Sequence, residues 1–165
     1  MPEIKKARRM LWLFGLLKIP LIGYVRPRLV EITEARMVIK IPLRRRTRNH
    51  LGSMYFGALA IGADLAGAFQ AFQVADDMGR KMSIVFKDFK ANFIKRPESD
   101  VFFMAADGLL IKEMLTETMA TGERVTKEIK IKALTGYPDN PEVVAEFALG
   151  LSVKDKATAP VQSTQ

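Results

Sequence analysis

Residues 53–74 read SMYFGALAIGADLAGAFQAFQV, and a single charged side chain, Asp64, stands in this stretch. About twenty mostly apolar positions are enough for a membrane span. An ionised Asp at the middle of a lone span costs about 2.5–3.5 kcal/mol, however, and the stretch is built from Gly and Ala rather than Leu and Ile. Gly57, Gly62 and Gly67, with Ala58, Ala60, Ala63, Ala66 and Ala68, leave little side-chain bulk. A helix of this kind lets a sheet close around it on most sides, so the stretch is predicted to be a core helix inside one domain.

The flanks supply the sheet. From Leu29 to Leu43 the residues alternate, with Ala35, Met37, Ile39, Ile41 and Leu43 on one face and Arg36, Lys40 and Arg44 on the other, which predicts one strand. A basic run, Arg44–Arg45–Arg46–Thr47–Arg48, then leads into a polar loop, Asn49–His50–Leu51–Gly52, ahead of the helix. Beyond it, Met82, Ile84 and Phe86 share a face before the phase slips to Phe89, Ala91 and Phe93, so a bulge is expected at Lys87 and Asp88. Val101–Ala106 reads as a short strand. Asp107 is placed to cap a short amphipathic helix carrying Leu110, Ile111, Met114, Leu115 and Met119 and stopped by Gly122. Val125–Ala133 and Val143–Val153 alternate cleanly and predict two further strands. Strands, a long core helix and an inserted short helix make an α+β domain. It is expected over residues 1–154, with a helical extension over 1–26, the core over 28–154 and a disordered tail over 155–165.

Composition narrows the chemistry. The chain has 165 residues, a formal charge of +8, no cysteine and one histidine, His50. These counts exclude a disulfide framework, a thiolate nucleophile and a multi-histidine metal site. Absence of cysteine fits a reducing cytoplasm, and the positive charge favours anionic partners. No motif supports nucleic-acid binding. Residues 4–23 set Lys5, Lys6, Arg8 and Arg9 ahead of an apolar run interrupted by Lys18 and Pro20. That pattern suits a basic amphipathic helix packed on its own domain better than a signal peptide, with contact at the inner membrane surface as a second role.

The segment from Asn49 through Gly52, Tyr55, Phe56 and Gly57 to Asp64 resembles the N-x-x-G-x-x-H-G-G pattern, with an acid seven residues after the last Gly, of small bacterial hotdog acyl-CoA thioesterases of the phenylacetate-pathway type. Phe93-Ile94-Lys95-Arg96-Pro97 followed by Asp100 is similar to a strand-turn segment of that family, and the order of elements from Leu29 to Lys154 agrees. The likeness is to a branch in which the N-terminal and inserted helices are also expected. Tyr55 stands where the family has His, and Phe56 where it has the first Gly. The resemblance implies a hotdog fold, a long helix wrapped by an antiparallel sheet, acting on acyl thioesters as a dimer or dimer of dimers with sites shared between subunits.

That chemistry assigns candidate roles. Free N–H groups of Phe56 and Gly57 at the helix start could polarise a thioester carbonyl. Asp64 would be general base or nucleophile. Asn49 would orient water or substrate, or cap the helix. Tyr55 can donate a hydrogen bond but is a poor replacement for an imidazole that handles a proton near neutral pH. Arg46, Arg48, Lys95 and Arg96, with Arg44 and Arg45, are candidates for the phosphates of coenzyme A, which enters as part of the substrate, with no separate cofactor and no metal. Phe86, Phe89 and Phe93 would line an acyl pocket. A carrier-protein thioester could replace acyl-CoA, and a non-catalytic acyl-thioester or lipid-binding protein is the alternative favoured by Tyr55. A hydratase pairing Asp64 with His50 is a third reading.

Overall fold

The computed structural model describes residues 4–156; the tail beyond Lys156 lies outside the described residues. Ten elements follow in order: α1 (Ile4–Leu17), α2 (Pro20–Val25), β1 (Arg28–Ile32), β2 (Met37–Ile41), α3 (Phe56–Asp77), β3 (Met82–Phe93), β4 (Val101–Ala105), α4 (Gly108–Thr121), β5 (Val125–Thr135) and β6 (Glu142–Asp155). The strands form one six-stranded sheet in the order β1-β2-β4-β5-β6-β3, and every pairing is antiparallel. The sheet wraps α3, the arrangement of a hotdog fold.

Small residues let α3 sit this deep. A Cβ on Gly62 would lie 2.3 Å from the ring of Phe103 on β4, and one on Gly67 would lie 2.8 Å from Ile129 on β5. The space above these glycines is filled by side chains from the sheet, so helix and sheet interdigitate there. Among the described residues α3 is the helix long and apolar enough to cross a membrane, and 67% of that stretch is buried inside the protein. Its hydrophobicity is spent on the core.

Three local predictions change. The stretch Leu29–Leu43 is not one strand but the hairpin β1–β2, which turns at Thr33–Arg36. There Thr33 N–H donates to Arg36 O at 2.7 Å, and Arg36 N–H donates to Thr33 Oγ1 at 2.9 Å. A threonine hydroxyl closes this turn, so none of the glycine, proline or asparagine that usually marks a turn is needed. The N-terminal segment is two helices rather than one, because Pro20 removes a backbone donor and starts α2 at its first position. Asp107 precedes α4, but its side chain does not cap it; its Oδ2 accepts from the Lys130 N–H at 2.7 Å, tying the helix start to β5.

The predicted bulge is present. Pairing of β3 with β6 shifts register between Phe86 and Phe89, and Asp88 Oδ1 accepts from the Gly150 N–H at 3.0 Å. A Cβ on Gly150 would meet that carboxylate at 2.9 Å, so a side chain there would displace the Asp88 carboxylate from this bond. Gly122 ends α4 in the left-handed conformation, φ 73°, as the sequence suggests. At the far end of α4, Thr118 Oγ1 donates to Glu123 O at 2.6 Å and accepts from the Asp155 N–H at 3.1 Å. β6 thus continues to Asp155.

Candidate functional site

The loop before α3 is held by its own side chains. Asn49 Oδ1 accepts from the N–H groups of Leu51 (2.9 Å) and Ser53 (3.2 Å), its Nδ2 donates to Ser53 Oγ at 3.1 Å, and its backbone N–H donates to Ser53 O at 2.8 Å. The Asn49 amide is occupied in shaping this turn, with Gly52 at φ 86° completing it. Two longer-range bonds then fix where α3 begins: Met54 N–H donates to Pro97 O at 2.9 Å, and Tyr55 N–H donates to Thr47 O at 2.8 Å. Thr47 is itself buried, its hydroxyl donating to Pro42 O at 2.7 Å. Asn49→Ala is expected to lower stability by about 1–2 kcal/mol, since several bonds go with one side chain, as measured by urea denaturation at neutral pH.

Tyr55 is the N-cap residue of α3, but its side chain makes no cap hydrogen bond. Ala58 and Leu59 donate to Tyr55 O at 2.9 and 3.1 Å. The preceding two N–H groups, those of Phe56 and Gly57, have no hydrogen-bond partner among the described residues. They are donors at the positive end of a 22-residue helix, the setting in which a developing oxyanion is stabilised. The Tyr55 ring lies against Gly57, where an added Cβ would come within 2.4 Å of Cε1.

A cleft of about 390 Å³ opens at this helix start. It brings Asn49, His50, Tyr55 and Phe56 together with Lys95 and Arg96 from the segment after β3. Lys95 Nζ is paired with Glu142 Oε1 at 2.6 Å, whereas Arg96 has no ion-pair partner among the described residues. Arg46 is placed elsewhere, in a separate cleft with Tyr24, Arg26 and Arg28. Arg48 is exposed and lines neither cleft; its backbone bridges to Met54. Of the proposed phosphate ligands, therefore, Lys95 and Arg96 meet at the helix start and Arg46 does not.

Aromatic side chains continue from the cleft along the sheet. Ring centroids are 4.9 Å apart for Tyr55–Phe56, 6.4 Å for Phe56–Phe93, 6.0 Å for Phe93–Phe147 and 5.6 Å for Phe147–Phe89. Phe56, Phe89 and Phe93 are exposed. Phe86 instead packs toward Gly67 in the core. Phe93, Ile94 and Pro97, all within the strand-turn segment singled out in the sequence, line the cleft.

Asp64 lies two turns along α3, half-buried, with no hydrogen bond or ion pair among the described residues. Burial pushes its carboxyl above the ordinary carboxylate range. An unpaired, partly desolvated carboxylate of this kind is a recurring feature of functional sites. Eight residues of helix separate it from Phe56, about 12 Å along the axis at 1.5 Å per residue, so it cannot touch a group held by the donors of its own helix. Asp100 shows the contrasting structural case. Burial would raise its pKa, but the Lys40 side chain (2.6 Å), the Leu43 N–H (2.8 Å) and the nearby Arg44 hold it below the usual range.

Comparison with known proteins agrees with this architecture. A Pseudomonas aeruginosa protein described as a probable thioesterase superposes with a TM-score of 0.75 at 24% identity, covering 93% of this chain and 96% of that one. A thioesterase family protein from Silicibacter pomeroyi gives 0.66 at 15% identity, with 93% and 99% covered, and a thioesterase from Haemophilus influenzae gives 0.63 at 15%, with 87% and 88% covered. No curated protein sequence matches significantly. Identities this low establish a shared fold. In sequence, residues 7–138 match the family described as domain of unknown function DUF4442. The chain therefore belongs to the DUF4442 family and has the hotdog fold of thioesterase-like proteins.

Proposed function

We propose that the protein hydrolyses acyl thioesters, acyl-CoA in particular. The observation that carries this reading is the pair of unpartnered N–H groups of Phe56 and Gly57 at the start of α3, beside a cleft that Phe56 lines together with Arg96. In the reaction, the thioester carbonyl oxygen accepts from these N–H groups and gains negative charge as water adds to the carbonyl carbon. Asp64 takes the proton from that water. Collapse of the tetrahedral oxyanion breaks the C–S bond, and the thiolate leaves and takes up the proton. Lys95 and Arg96 face the phosphates of the carrier, and the exposed rings of Phe56, Phe93 and Phe89 receive the acyl chain. Asn49 acts by positioning the loop.

The 12 Å separation along α3 supports a homodimer in which Asp64 of one subunit serves the donors of the other. The sheet offers a route to it. β3 is an edge strand with β6 as its one neighbour, it is 12 residues long, and Val85, Phe89 and Phe93 on it are exposed. A long edge with apolar side chains is a ready surface for pairing with a second copy.

A second reading is a protein that binds acyl thioesters without hydrolysing them. It is favoured by the Tyr55 ring lying over Gly57, which narrows access to one of the two donors. The deciding experiment is release of free thiol from short, medium, long and aromatic acyl-CoAs by the purified protein. Turnover supports the hydrolase. Saturable acyl-CoA binding without thiol release on any substrate would establish the second reading instead.

A further inference from the structure

Helices α1 and α2 form a closely packed hairpin. A Cβ on Gly15 would lie 2.9 Å from Gly23 Cα, and one on Gly23 would lie 2.5 Å from Gly15 O, so the two backbones touch where they cross. The inward face is buried through Ala7, Leu11, Ile22 and Val25. The outward face is apolar as well. Of the fifteen exposed large hydrophobic residues among those described, seven fall between Trp12 and Tyr24. Trp12 is 64% exposed and Leu17 68%. Contiguous exposure on this scale marks an interaction surface rather than ordinary surface scatter.

The charge beside this face is mostly positive: Asp76, paired with Lys6 at 2.8 Å, lines the flank next to Leu13 and Leu17, and the rest is basic. Residues 4–30 contain no acidic residue. Lys5, Arg9 and Lys18 are exposed on or just after α1. Next to the apolar face two clefts adjoin, one of about 620 Å³ reaching Trp12 and Leu16 and the other of about 650 Å³ reaching Arg44 and Arg45, and Tyr24, Arg26, Arg28 and Arg46 line both. No acidic residue lines either cleft. Arg46 is ordered there, its guanidinium 5.2 Å from the Tyr24 ring centroid and its Nη1 donating to Tyr24 O at 3.2 Å.

We propose that this hairpin is a docking surface for an anionic phospholipid bilayer, with the arginine cleft taking the headgroup phosphates and Trp12, Leu16, Leu17 and Leu21 entering the acyl boundary. Interfacial Trp and Tyr beside apolar residues and a fringe of Lys and Arg are the composition that lies in the plane of a membrane. A second copy of the chain fits the surface less well. Pairing this face with itself across a two-fold axis would set its five arginines, Arg26, Arg28, Arg44, Arg45 and Arg46, against the same five of the other copy. The inference stands independently of the hydrolase reading.

Trp12 is the single tryptophan of the chain, so its fluorescence reports this face alone. The experiment titrates the full-length protein with vesicles of phosphatidylcholine, alone or mixed with phosphatidylglycerol, at low and high salt. The expected result is a blue shift of Trp12 emission and co-flotation with the anionic vesicles, lost at high salt and absent with the neutral ones. Replacing Arg26 by Asn, which tolerates its left-handed φ of 52°, together with Arg28→Gln and Arg45→Gln, is expected to weaken binding about a hundredfold, from three charges worth about fivefold each at the surface. Lys130→Gln with Lys132→Gln, which removes exposed charge from β5, is expected to change it less than about threefold. Unchanged secondary structure and thermal unfolding establish that the variants are folded. No shift with anionic vesicles at low salt would overturn the proposal. So would Trp12 already shielded from acrylamide in the free protein, which would place a second copy on this face.

Discussion

Asp64→Asn is expected to lower acyl-CoA turnover by about a hundredfold to ten-thousandfold, the range for loss of a positioned general base, while making the protein more stable at neutral pH. The two effects have one cause. Burial raises the Asp64 carboxyl above its ordinary range, so the folded state holds that proton more tightly than the unfolded chain does. At a pH below the ordinary carboxylate range both states are protonated and the site costs nothing. As pH rises through the raised folded value, the carboxylate ionises in a partly desolvated position and folding stability is lost. Asparagine stays neutral throughout, so the stability difference between variant and parent should be absent in acid and grow toward neutral pH. Thermal unfolding between pH 4 and 8, alongside thiol-release kinetics, measures both. If the variant is instead less stable at neutral pH, Asp64 is held by an ion pair or hydrogen bonds across the dimer, and its role is structural.

Gly62→Val is expected to cost about 3 kcal/mol, the upper part of the range for overpacking a filled core. The position leaves no room: the added Cβ would stand 2.3 Å from two ring atoms of Phe103, and Phe103 is fully buried. Helix propensity does not rescue it, because valine gains only a few tenths of a kcal/mol over glycine in a helix. For a chain of this size, the loss corresponds to a fall in Tm of about 6–12 °C. Phe103→Leu in the same protein should recover at least about 1 kcal/mol of coupling energy, as neighbours sharing one space do. Additive losses in the double variant would mean that Gly62 and Phe103 do not meet, and the close wrapping of β4 on α3 would be wrong. This site lies on the inner face of α3, so turnover per folded molecule should change little.

The clearest readings came from residues whose reasons are local. A Gly- and Ala-rich apolar stretch with one carboxylate near its middle suits the inside of a closely wrapped sheet, and α3 is a buried helix over Phe56–Asp77. The phase slip after Phe86 located the bulge because strand periodicity changes wherever an extra residue enters. The β1–β2 turn was not legible, since its closing group is the Thr33 hydroxyl and the alternation runs through it. Asn49 was ambiguous for a similar reason: an Asn before a helix can cap it, orient a ligand or fold its own loop, and only the position of Ser53 resolves which bonds form.

The sequence by itself determined the α+β composition, the buried helix and the polar and charged residues available to a site, because these depend on periodicity, side-chain volume and the order of elements. Tertiary structure decided which of those residues share a site. It brought Lys95 and Arg96 to the start of α3 and placed Arg46 with Arg26 and Arg28 beside the α1–α2 hairpin. Arg46 and Arg48 are two residues apart in the chain, yet their surroundings differ, because a loop turns between β2 and α3 and a side chain's neighbours come from distant segments. Charge is additive along a sequence, but a binding site depends on distance, and distance is set only when the sheet closes around the helix.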